Sequence, residues 1–324
     1  MILAGDIGGT NTRLALLETE DKRLRVIVDQ TFASREHKSL DEIISQFLGE
    51  HPAPITHACF GVAGPIRSRQ SRPANLPWVV DADQLSTRFG FDSVTLVNDL
   101  EANALGLVAL KTKDFAVLNE GTPDAEGNNA VISAGTGLGE AGLHFEGKIR
   151  RPFATEGGHA DFAPRNELEI ELLRYLLAKY EHVSYERVLS GPGLQNIYRF
   201  LRDTGRGVEP VWLAEEMGGP DPSSVITRTA LTEKSELAMR ALELFVSIYG
   251  AEAGNLALKV KATGGVYVGG GIAPRIIRQL KSPAFMEAFT AKGRMRPFLE
   301  SVPVRVILND MTALLGAVLC ASMK

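Results

Sequence analysis

The feature that most constrains the fold is a glycine-rich turn between two short apolar runs. Residues 2–7 and 13–17 are largely apolar, and Gly8-Gly9-Thr10-Asn11 lies between them. This pattern predicts two buried strands joined by a tight turn. Glycine leaves the backbone bare, and consecutive amides in such a turn can form a nest for an anion. The alternative is an ordinary hairpin whose glycines only make the turn.

The spacing excludes the two common phosphate motifs. No Gly-Lys-Ser/Thr sequence ends the turn, as it would in a P-loop, and a strand rather than a helix follows it. The pattern recurs at residues 130–143, around Gly135-Thr136-Gly137, and a third glycine turn follows the apolar residues 266–268. Repeated units of this kind indicate a duplicated architecture.

Two glycine hairpins facing each other across a cleft, with a third glycine turn beneath a nucleotide, are the layout of the actin–hexokinase–Hsp70 superfamily. The chain resembles that superfamily. We therefore expect an α/β protein with a two-domain actin/hexokinase-like (ribonuclease H-like) fold and a cleft between the domains. The predicted domains are a small one, residues 1–110 plus 310–324, and a large one, residues 111–309.

Composition excludes several classes of protein. The chain has 324 residues and a net charge of −4, which favours neither nucleic acid nor an anionic membrane surface as a partner. Cys59 and Cys320 are the only cysteines, without zinc spacing, which fits a reducing compartment. No apolar run is long enough to span a bilayer, and the chain enters its first strand at Ile2 without a signal peptide. We expect a cytoplasmic protein with no nucleic-acid or membrane partner.

Two acidic residues stand where strands end. Asp6 precedes the first glycine turn, where a carboxylate can hold a hydrated Mg²⁺ beside a phosphate. Asp99 follows the apolar residues 94–97, at the predicted start of a helix, and Asn98 beside it adds a polar group. Asp99 is either a catalytic carboxylate or simply the helix N-cap, worth about 1 kcal/mol, and the residues alone leave both open.

Other polar candidates lie in loops. Glu156 and His159 belong to a glycine-flanked loop without periodicity, and Asn75 lies in another loop. Glu-x-x-His is a metal-ligand spacing on a helix, but Gly157 and Gly158 argue against a helix here. For Glu186 the default interpretation is a solvated surface pair with the adjacent Arg187.

Six segments, taken in order, resemble one family, the bacterial ATP-dependent glucokinases, which are hexokinase-like sugar kinases. The matching segments are Gly5–Asn11, Leu96–Asp99, Ala134–Gly139, Glu156–Ala163, Glu186–Leu194 and Gly269–Pro274. They cover nearly the whole chain. Thr155 and Ser133 depart from the family pattern, in which a glycine precedes the acid and a smaller residue precedes the second phosphate loop.

The resemblance implies ATP-dependent phosphorylation of D-glucose at the 6-hydroxyl, giving glucose 6-phosphate and ADP at the start of glycolysis. By resemblance Asp99 is the catalytic base. The implied sugar-binding residues are Asn75, Asn98, Asp99, Glu156, His159 and Glu186. The implied nucleotide-binding residues are Gly5, Asp6, Ile7, Gly8, Gly9, Thr10, Gly135, Thr136, Gly137, Gly270 and Gly271. Asp6 is the implied Mg²⁺ residue, and the implied assembly is a homodimer.

Three alternatives stay open at this point. Asp99 and Glu156 can be read as the carboxylate pair of a glycoside hydrolase, which leaves the glycine turns unexplained. A non-catalytic nucleotide-binding protein of the actin or Hsp70 kind has the same turns. Within the kinases, mannose, fructose or N-acetylhexosamine is the closest competing substrate.

Overall fold

The computed structural model describes residues 1–20, 23–73, 76–147 and 149–322. Its chain divides into two compact units. The first contains Met1–Thr112, Gly142–Ala154 and Asn309–Lys324, and the second contains Lys113–Ala141 and Thr155–Leu308. The units differ from the predicted domains at residues 142–154, and the predicted domain boundaries remain a prediction.

The strands form three sheets. In chain order they are β1 (Ile2–Ile7), β2 (Asn11–Glu20), β3 (Arg23–Ala33), β4 (His57–Val62), β5 (Ile66–Arg67), β6 (Gln70–Ser71), β7 (Val80–Asp81), β8 (Ser93–Asn98), β9 (Phe115–Asn119), β10 (Asn129–Ala134), β11 (Leu138–Glu146), β12 (Ile149–Thr155), β13 (Gly265–Gly269) and β14 (Val304–Ile307). The sheet orders are β3-β2-β1-β4-β8, β5-β6-β7 and β12-β11-β10-β13-β14-β9.

The helices complete the α/β architecture. They are α1 (Leu40–Glu50), α2 (Ala82–Phe89), α3 (Asp99–Gly106), α4 (Glu167–Leu177), α5 (Gly191–Asp203), α6 (Val211–Met217), α7 (Pro222–Leu231), α8 (Glu236–Val260), α9 (Ile277–Leu280), α10 (Pro283–Thr290), α11 (Arg296–Glu300) and α12 (Thr312–Ser322). Within the described ranges, no helix is both long and apolar enough to cross a bilayer.

The five-stranded sheet of the first unit brings three strand ends together. β1 pairs in antiparallel register with β2 and in parallel with β4, and β4 pairs in parallel with β8. The register aligns Ile7 with Val62 and Val62 with Asn98. Because parallel strands end at the same sheet edge, the first glycine turn and the Asn98-Asp99 junction share one edge, where ligands bind in open α/β sheets.

In the second unit, parallel strands likewise bring two glycine turns to one edge of a sheet. β10 is parallel to β13, which is parallel to β14, and β9 closes that edge in antiparallel register. Ser133 aligns with Gly269, so the second and third glycine turns follow neighbouring strands. The long helix α8 packs on this sheet through an apolar face that includes Phe245, Tyr249 and Leu256, all buried.

Capping chemistry sets most helix starts. The Ser39 hydroxyl accepts the Glu42 amide at the start of α1, and the Asp81 carboxylate caps α2, which ends at Gly90 with φ +70°. The long helix α8 begins after its N-cap, Ser235.

Candidate active site

The first glycine turn is held from behind by Ser34. The Gly8 N–H donates to the Asn11 carbonyl at 2.9 Å, which closes the turn. The Ser34 hydroxyl donates to the Gly8 carbonyl at 2.8 Å, and its N–H donates to the Thr10 carbonyl at 2.9 Å. The Thr12 hydroxyl lies 3.0 Å from the Ser34 hydroxyl, and both side chains are fully buried. No sequence motif marks Ser34, which follows β3.

The hydrogen bonds show which amides of the turn are left without an acceptor in the described part of the chain. Ser34 binds the carbonyls of Gly8 and Thr10, and the Gly8 amide is used within the turn. The amides of Gly9 and Thr10 donate to no described residue. They are the two donors that the turn can offer to an anion.

Asp6 stands one residue inside β1, opposite Arg13 on β2. Burial raises the pKa of the Asp6 carboxyl to about 6, and the Arg13 guanidinium partly opposes that rise. Arg13 itself bridges Asp29 at 2.7 Å and Asp310 at 3.1 Å. A nearby cation stabilises the ionised form of such a buried carboxyl, as it would for a carboxylate that binds Mg²⁺.

Gly5 and Ile7, two of the implied nucleotide-binding residues, belong to the packed strand. A Cβ on Gly5 would lie 2.5 Å from the Phe60 ring, so this glycine makes room for an aromatic side chain. The Ile7 side chain is fully buried in the core. Their part in nucleotide binding, which would use only their backbone atoms, stays a prediction.

Asn98, rather than Asp99, caps helix α3. The Asn98 side-chain oxygen accepts the Leu100 N–H at 3.0 Å, and the Glu101 carboxylate accepts the Asn98 N–H at 3.2 Å. Asp99 is the first residue of the helix, half-buried, at the carboxyl end of β8. The interpretation of Asp99 as a simple N-cap is therefore wrong. The Asn98 amide nitrogen lies 3.5 Å from the Gly64 carbonyl, and its predicted contact with sugar remains a prediction.

Asn75 lies outside the described residues, so its predicted contact with sugar remains a prediction.

The second glycine turn is built into the second unit by two backbone hydrogen bonds. The Gly135 N–H donates to the Gly137 carbonyl at 2.8 Å, and the Gly191 N–H at the start of α5 donates to the Gly135 carbonyl at 2.8 Å. The amides of Thr136 and Gly137 donate to no described residue. Nothing lies within 4 Å of a Cβ built on Gly135, so the backbone is open there.

Glu186 is attached to this turn. Its carboxylate accepts the Leu138 N–H at 3.0 Å, and a Cβ on Gly137 would lie 2.5 Å from Glu186 Oε2. The default interpretation, a solvated surface pair with Arg187, is therefore wrong. Arg187 instead stacks on the Tyr180 ring, 4.2 Å from its centroid.

Two loops carry the remaining candidate sugar residues and pair with each other. The Tyr185 N–H donates to the Ala160 carbonyl, and the Phe162 N–H donates to the Val183 carbonyl, each at 2.9 Å. His159 and Glu186 consequently line one pocket of about 330 Å³. Polar side chains that the sequence did not single out also line it, among them Tyr180, His182 and Arg187.

The Glu156–His159 segment lies directly on strand β11. Residues 157–159 form one turn of 3₁₀-helix, which places the Glu156 and His159 side chains in exposed positions. A Cβ on Gly158 would clash with the Leu138 carbonyl oxygen, and a Cβ on Gly157 would clash with the Glu140 carboxyl. These glycines are required by close packing, since neither has a positive φ.

The third glycine turn is coupled to the second through β10. Gly270 has φ +81°, and a Cβ there would clash with the Ala134 carbonyl, which accepts the Ile272 N–H at 3.3 Å. The buried Tyr249 hydroxyl joins the two strands: it accepts the Ala134 N–H at 3.1 Å and lies 3.3 Å from the Gly269 carbonyl. Nothing lies within 4 Å of a Cβ on Gly271.

Each glycine turn, taken by itself, fits an anion or a flat group. The first two turns each have two amides that donate to no described residue, and Gly135 and Gly271 leave bare backbone that a flat or charged group can approach. Asp6 would supply the hard oxygen that Mg²⁺ prefers. Among the described residues, no cluster of three or more His, Cys, Asp or Glu side chains is arranged to hold a metal ion.

Comparison with known proteins places the fold. A glucokinase from an Antarctic psychrotroph is 32% identical, with a TM-score of 0.87 over 100% of this chain and 99% of that one. A ROK family glucokinase from Streptomyces griseus, solved with glucose and AMPPNP, is 19% identical and shares the fold, with a TM-score of 0.67 over 100% of this chain and 99% of that chain. The fold and the glycine turns define a sugar kinase, and the predicted α/β actin/hexokinase-like fold is confirmed.

The sequence comparisons narrow the class. The family model described as Glucokinase matches residues 3–324. The glucokinase of Nostoc punctiforme is 43% identical over 99% of both chains. The chain belongs to the glucokinase family.

Proposed function

We propose that this chain transfers the γ-phosphoryl group of ATP to the 6-hydroxyl of D-glucose, giving glucose 6-phosphate and ADP for glycolysis. Membership of the glucokinase family supports the reaction. The observation that carries the mechanism is that two different residues cap helix α3 and supply the candidate catalytic carboxylate. Asn98 provides the helix cap, and Asp99 follows it at the sheet edge that carries the first glycine turn.

Asp99 is the proposed base. It orients the 6-hydroxyl and accepts its proton while the new oxygen–phosphorus bond forms and the bond from phosphorus to the ADP oxygen breaks. Phosphoryl transfer has a loose transition state, so catalysis consists mainly of positioning and charge stabilisation. We assign the positioning of the phosphates to the amides of Gly9, Thr10, Thr136 and Gly137, which donate to no described residue.

Magnesium supplies charge neutralisation at the phosphates when it is bound, and Asp6 would hold it directly or through water. The adenosine part of ATP is assigned to the Gly270-Gly271 turn, where the backbone is open at Gly271.

The sugar is assigned to the polar side chains that the resemblance implies. They are Asn98, Asp99, Glu156, His159 and Glu186, and the last three lie on the two paired loops. Carboxylates, amides and imidazoles bind hydroxyls through directional hydrogen bonds, and such a site disfavours analogues that leave its polar groups unpaired. Asn75 is a further proposed sugar contact.

We further propose that the chain belongs to the actin–hexokinase–Hsp70 superfamily, works in the cytoplasm and forms a homodimer. The three glycine turns support the first proposal, and the family supports the others by analogy.

The reaction is tested by ADP release from Mg-ATP with glucose, mannose, fructose, N-acetylglucosamine or no sugar. We expect strong release with glucose and little with water alone. Preferred release with another sugar would make that sugar, rather than glucose, the substrate. Release that is independent of sugar would contradict the sugar-kinase assignment. ATP-independent hydrolysis of a glycoside would favour the alternative of a glycoside hydrolase.

The role of Asp99 is tested by Asp99→Asn. We expect a folded protein, by circular dichroism, whose kcat is lower by about 10²–10⁴-fold because the proton acceptor is lost. Asp92→Asn, at an exposed position in the same unit, is the matched control and is expected to keep its kcat. A normal kcat in Asp99→Asn would remove Asp99 from the chemistry.

A further inference from the structure

A buried carboxyl with no assigned role lies beneath the loop at residues 156–163, which carries Glu156 and His159 and is called the first sugar loop below. Glu140, on β11, is 1% exposed, and no N–H or hydroxyl donor among the described residues reaches either of its carboxyl oxygens. Buried polar groups are nearly always paired, so a buried carboxyl without such a donor calls for an explanation. The mechanism above makes no use of it.

The packing shows what Glu140 supports. Glu140 Oε2 lies so close to the Gly157 Cα that a Cβ there would clash with it. The Thr155 hydroxyl donates to the Glu140 carbonyl at 3.1 Å and accepts the Gly157 N–H at 3.1 Å. Gly157 lies between Glu156 and His159, so the main chain and the carboxyl of Glu140 together form the floor of this loop.

A second buried acid lies on the other side of Glu140. Glu252, on α8, is fully buried and accepts hydrogen bonds from Asn255 at 2.7 Å and from Lys259 at 3.1 Å. Burial, then the charge of Glu252 and a hydrogen bond between the two carboxyl groups, raise the pKa of Glu140 to about 8, and Lys259 opposes part of that rise. Glu140 is therefore mainly a neutral acid at pH 7, which a buried site tolerates far better than a second carboxylate.

The same network reaches the loop at residues 184–190, which carries Glu186 and is called the second sugar loop below. Asn255 also donates to the Tyr185 hydroxyl at 2.9 Å, and Tyr185 directly precedes Glu186. Lys292 donates to the side-chain oxygen Oδ1 of Asn255 at 2.5 Å. The charged and titratable groups that act on Glu140 are thus Glu252, Lys259 and Tyr249, all from α8. Tyr185 from the second sugar loop and Lys292 following α10 act on Glu252 in turn.

We propose that Glu140 is a positioning residue for sugar binding, holding Gly157 from below so that Glu156 and His159 keep the conformation that binds the sugar. This proposal rests on the proposed function. Ionisation of Glu140 places a second negative charge beside Glu252 and against the loop, and the loop moves away from the carboxyl. Sugar affinity consequently falls as the pH rises, whereas ATP affinity, which depends on other turns, stays unchanged.

The experiment measures KM for glucose and KM for ATP between about pH 6.5 and pH 9.5. In the natural protein we expect KM for glucose to rise several-fold across an alkaline transition, with KM for ATP nearly constant. Glu140→Gln, a neutral isostere of the protonated acid, is expected to keep the KM for glucose seen at pH 7 and to lose the transition. Glu146→Gln, an exposed acid on the same strand, is the matched control and keeps the transition.

Two further variants separate positioning from simple structural support. Glu140→Ala leaves a cavity beneath Gly157, so KM for glucose should rise about ten-fold at pH 7, with KM for ATP within two-fold. Glu252→Gln removes the negative charge that disfavours ionisation of Glu140, so the transition should move to lower pH. If Glu140→Ala fails to fold, the pH dependence in Glu140→Gln decides the matter alone.

An alkaline transition in Glu140→Gln identical to that of the natural protein would overturn the proposal. An equal loss of glucose and ATP affinity in Glu140→Ala would also overturn it, because it would indicate general structural damage. If the natural protein binds no glucose at pH 7 by isothermal titration and releases no ADP with it, the proposed function fails instead.

Discussion

Removing the Ser34 hydroxyl should loosen the first glycine turn without touching a substrate. Ser34→Ala keeps the backbone bond from residue 34 to the Thr10 carbonyl but removes two others. The Ser34 hydroxyl has one proton and gives it to the Gly8 carbonyl, so the Thr12 hydroxyl must donate to Ser34. The variant leaves the buried Thr12 hydroxyl without its acceptor and the Gly8 carbonyl without its donor.

The magnitude follows from this count. A buried polar group left unpaired costs about 1–3 kcal/mol, so we expect Ser34→Ala to lower the free energy of unfolding by about 2 kcal/mol. Thr12→Val removes only the Thr12 hydroxyl, which is the outer member of this series of hydrogen bonds, and should lower the free energy of unfolding by about 1 kcal/mol. In the Thr12→Val background Ser34→Ala no longer orphans Thr12, so the double variant should be about 1 kcal/mol more stable than the sum of the single effects predicts.

The assays are urea denaturation and steady-state kinetics. We expect kcat/KM for ATP to fall about ten-fold in Ser34→Ala, because a turn that is held less firmly presents its amides less well, while KM for glucose stays within two-fold. Ser301→Ala removes a hydroxyl that donates to the Phe298 carbonyl at 2.7 Å in an exposed segment, and it should change little. Unchanged stability and unchanged ATP kinetics in Ser34→Ala would refute the reasoning.

The other predictions concern the second turn, the buried acid and the helix cap. Gly137→Ala places a Cβ 2.5 Å from Glu186 Oε2, so Glu186 must leave the Leu138 amide and kcat/KM should fall at least ten-fold for both substrates; kinetics within two-fold of normal would contradict this. The Glu140 pKa is raised from 4.5 to about 8 in the folded chain, so the native state holds a proton that the unfolded state releases between these values. The free energy of unfolding should therefore fall by up to about 1.4 kcal/mol per pH unit across that window, and denaturation of Glu140→Gln at several pH values should show a correspondingly flatter dependence. Asn98→Ala should destabilise the protein by about 1 kcal/mol through loss of the cap on α3, whereas Asn98→Asp should retain that stability, and equal thermal denaturation of the two variants would argue against the capping role.

The sequence was informative wherever the controlling chemistry is local. Two apolar runs around Gly8-Gly9 predicted the β1–β2 hairpin, since strand pattern and turn residues lie within a few positions of each other. The caps at Ser39 and Asp81 were predictable for the same reason.

Local reasoning failed where two neighbouring residues compete for one role. Asn98 and Asp99 are both good N-cap residues, and the sequence offers no choice between them. The structure decides it through the sheet: the pairing of Val62 with Asn98 keeps Asn98 extended, with ψ 145°, which is the conformation that an N-cap needs. The helix therefore begins at Asp99.

By itself the sequence determined the α/β class and the family, and it supplied the candidate site residues, because these depend on residue type and spacing along the chain. Only the tertiary structure could decide which groups support them. Ser34 reaches the first turn because β3 pairs with β2 and returns the chain there. Glu140 lies beneath Gly157 because the sugar loop folds back on β11. Such contacts join residues far apart in the chain, and no local pattern encodes them, since they depend on packing across a sheet.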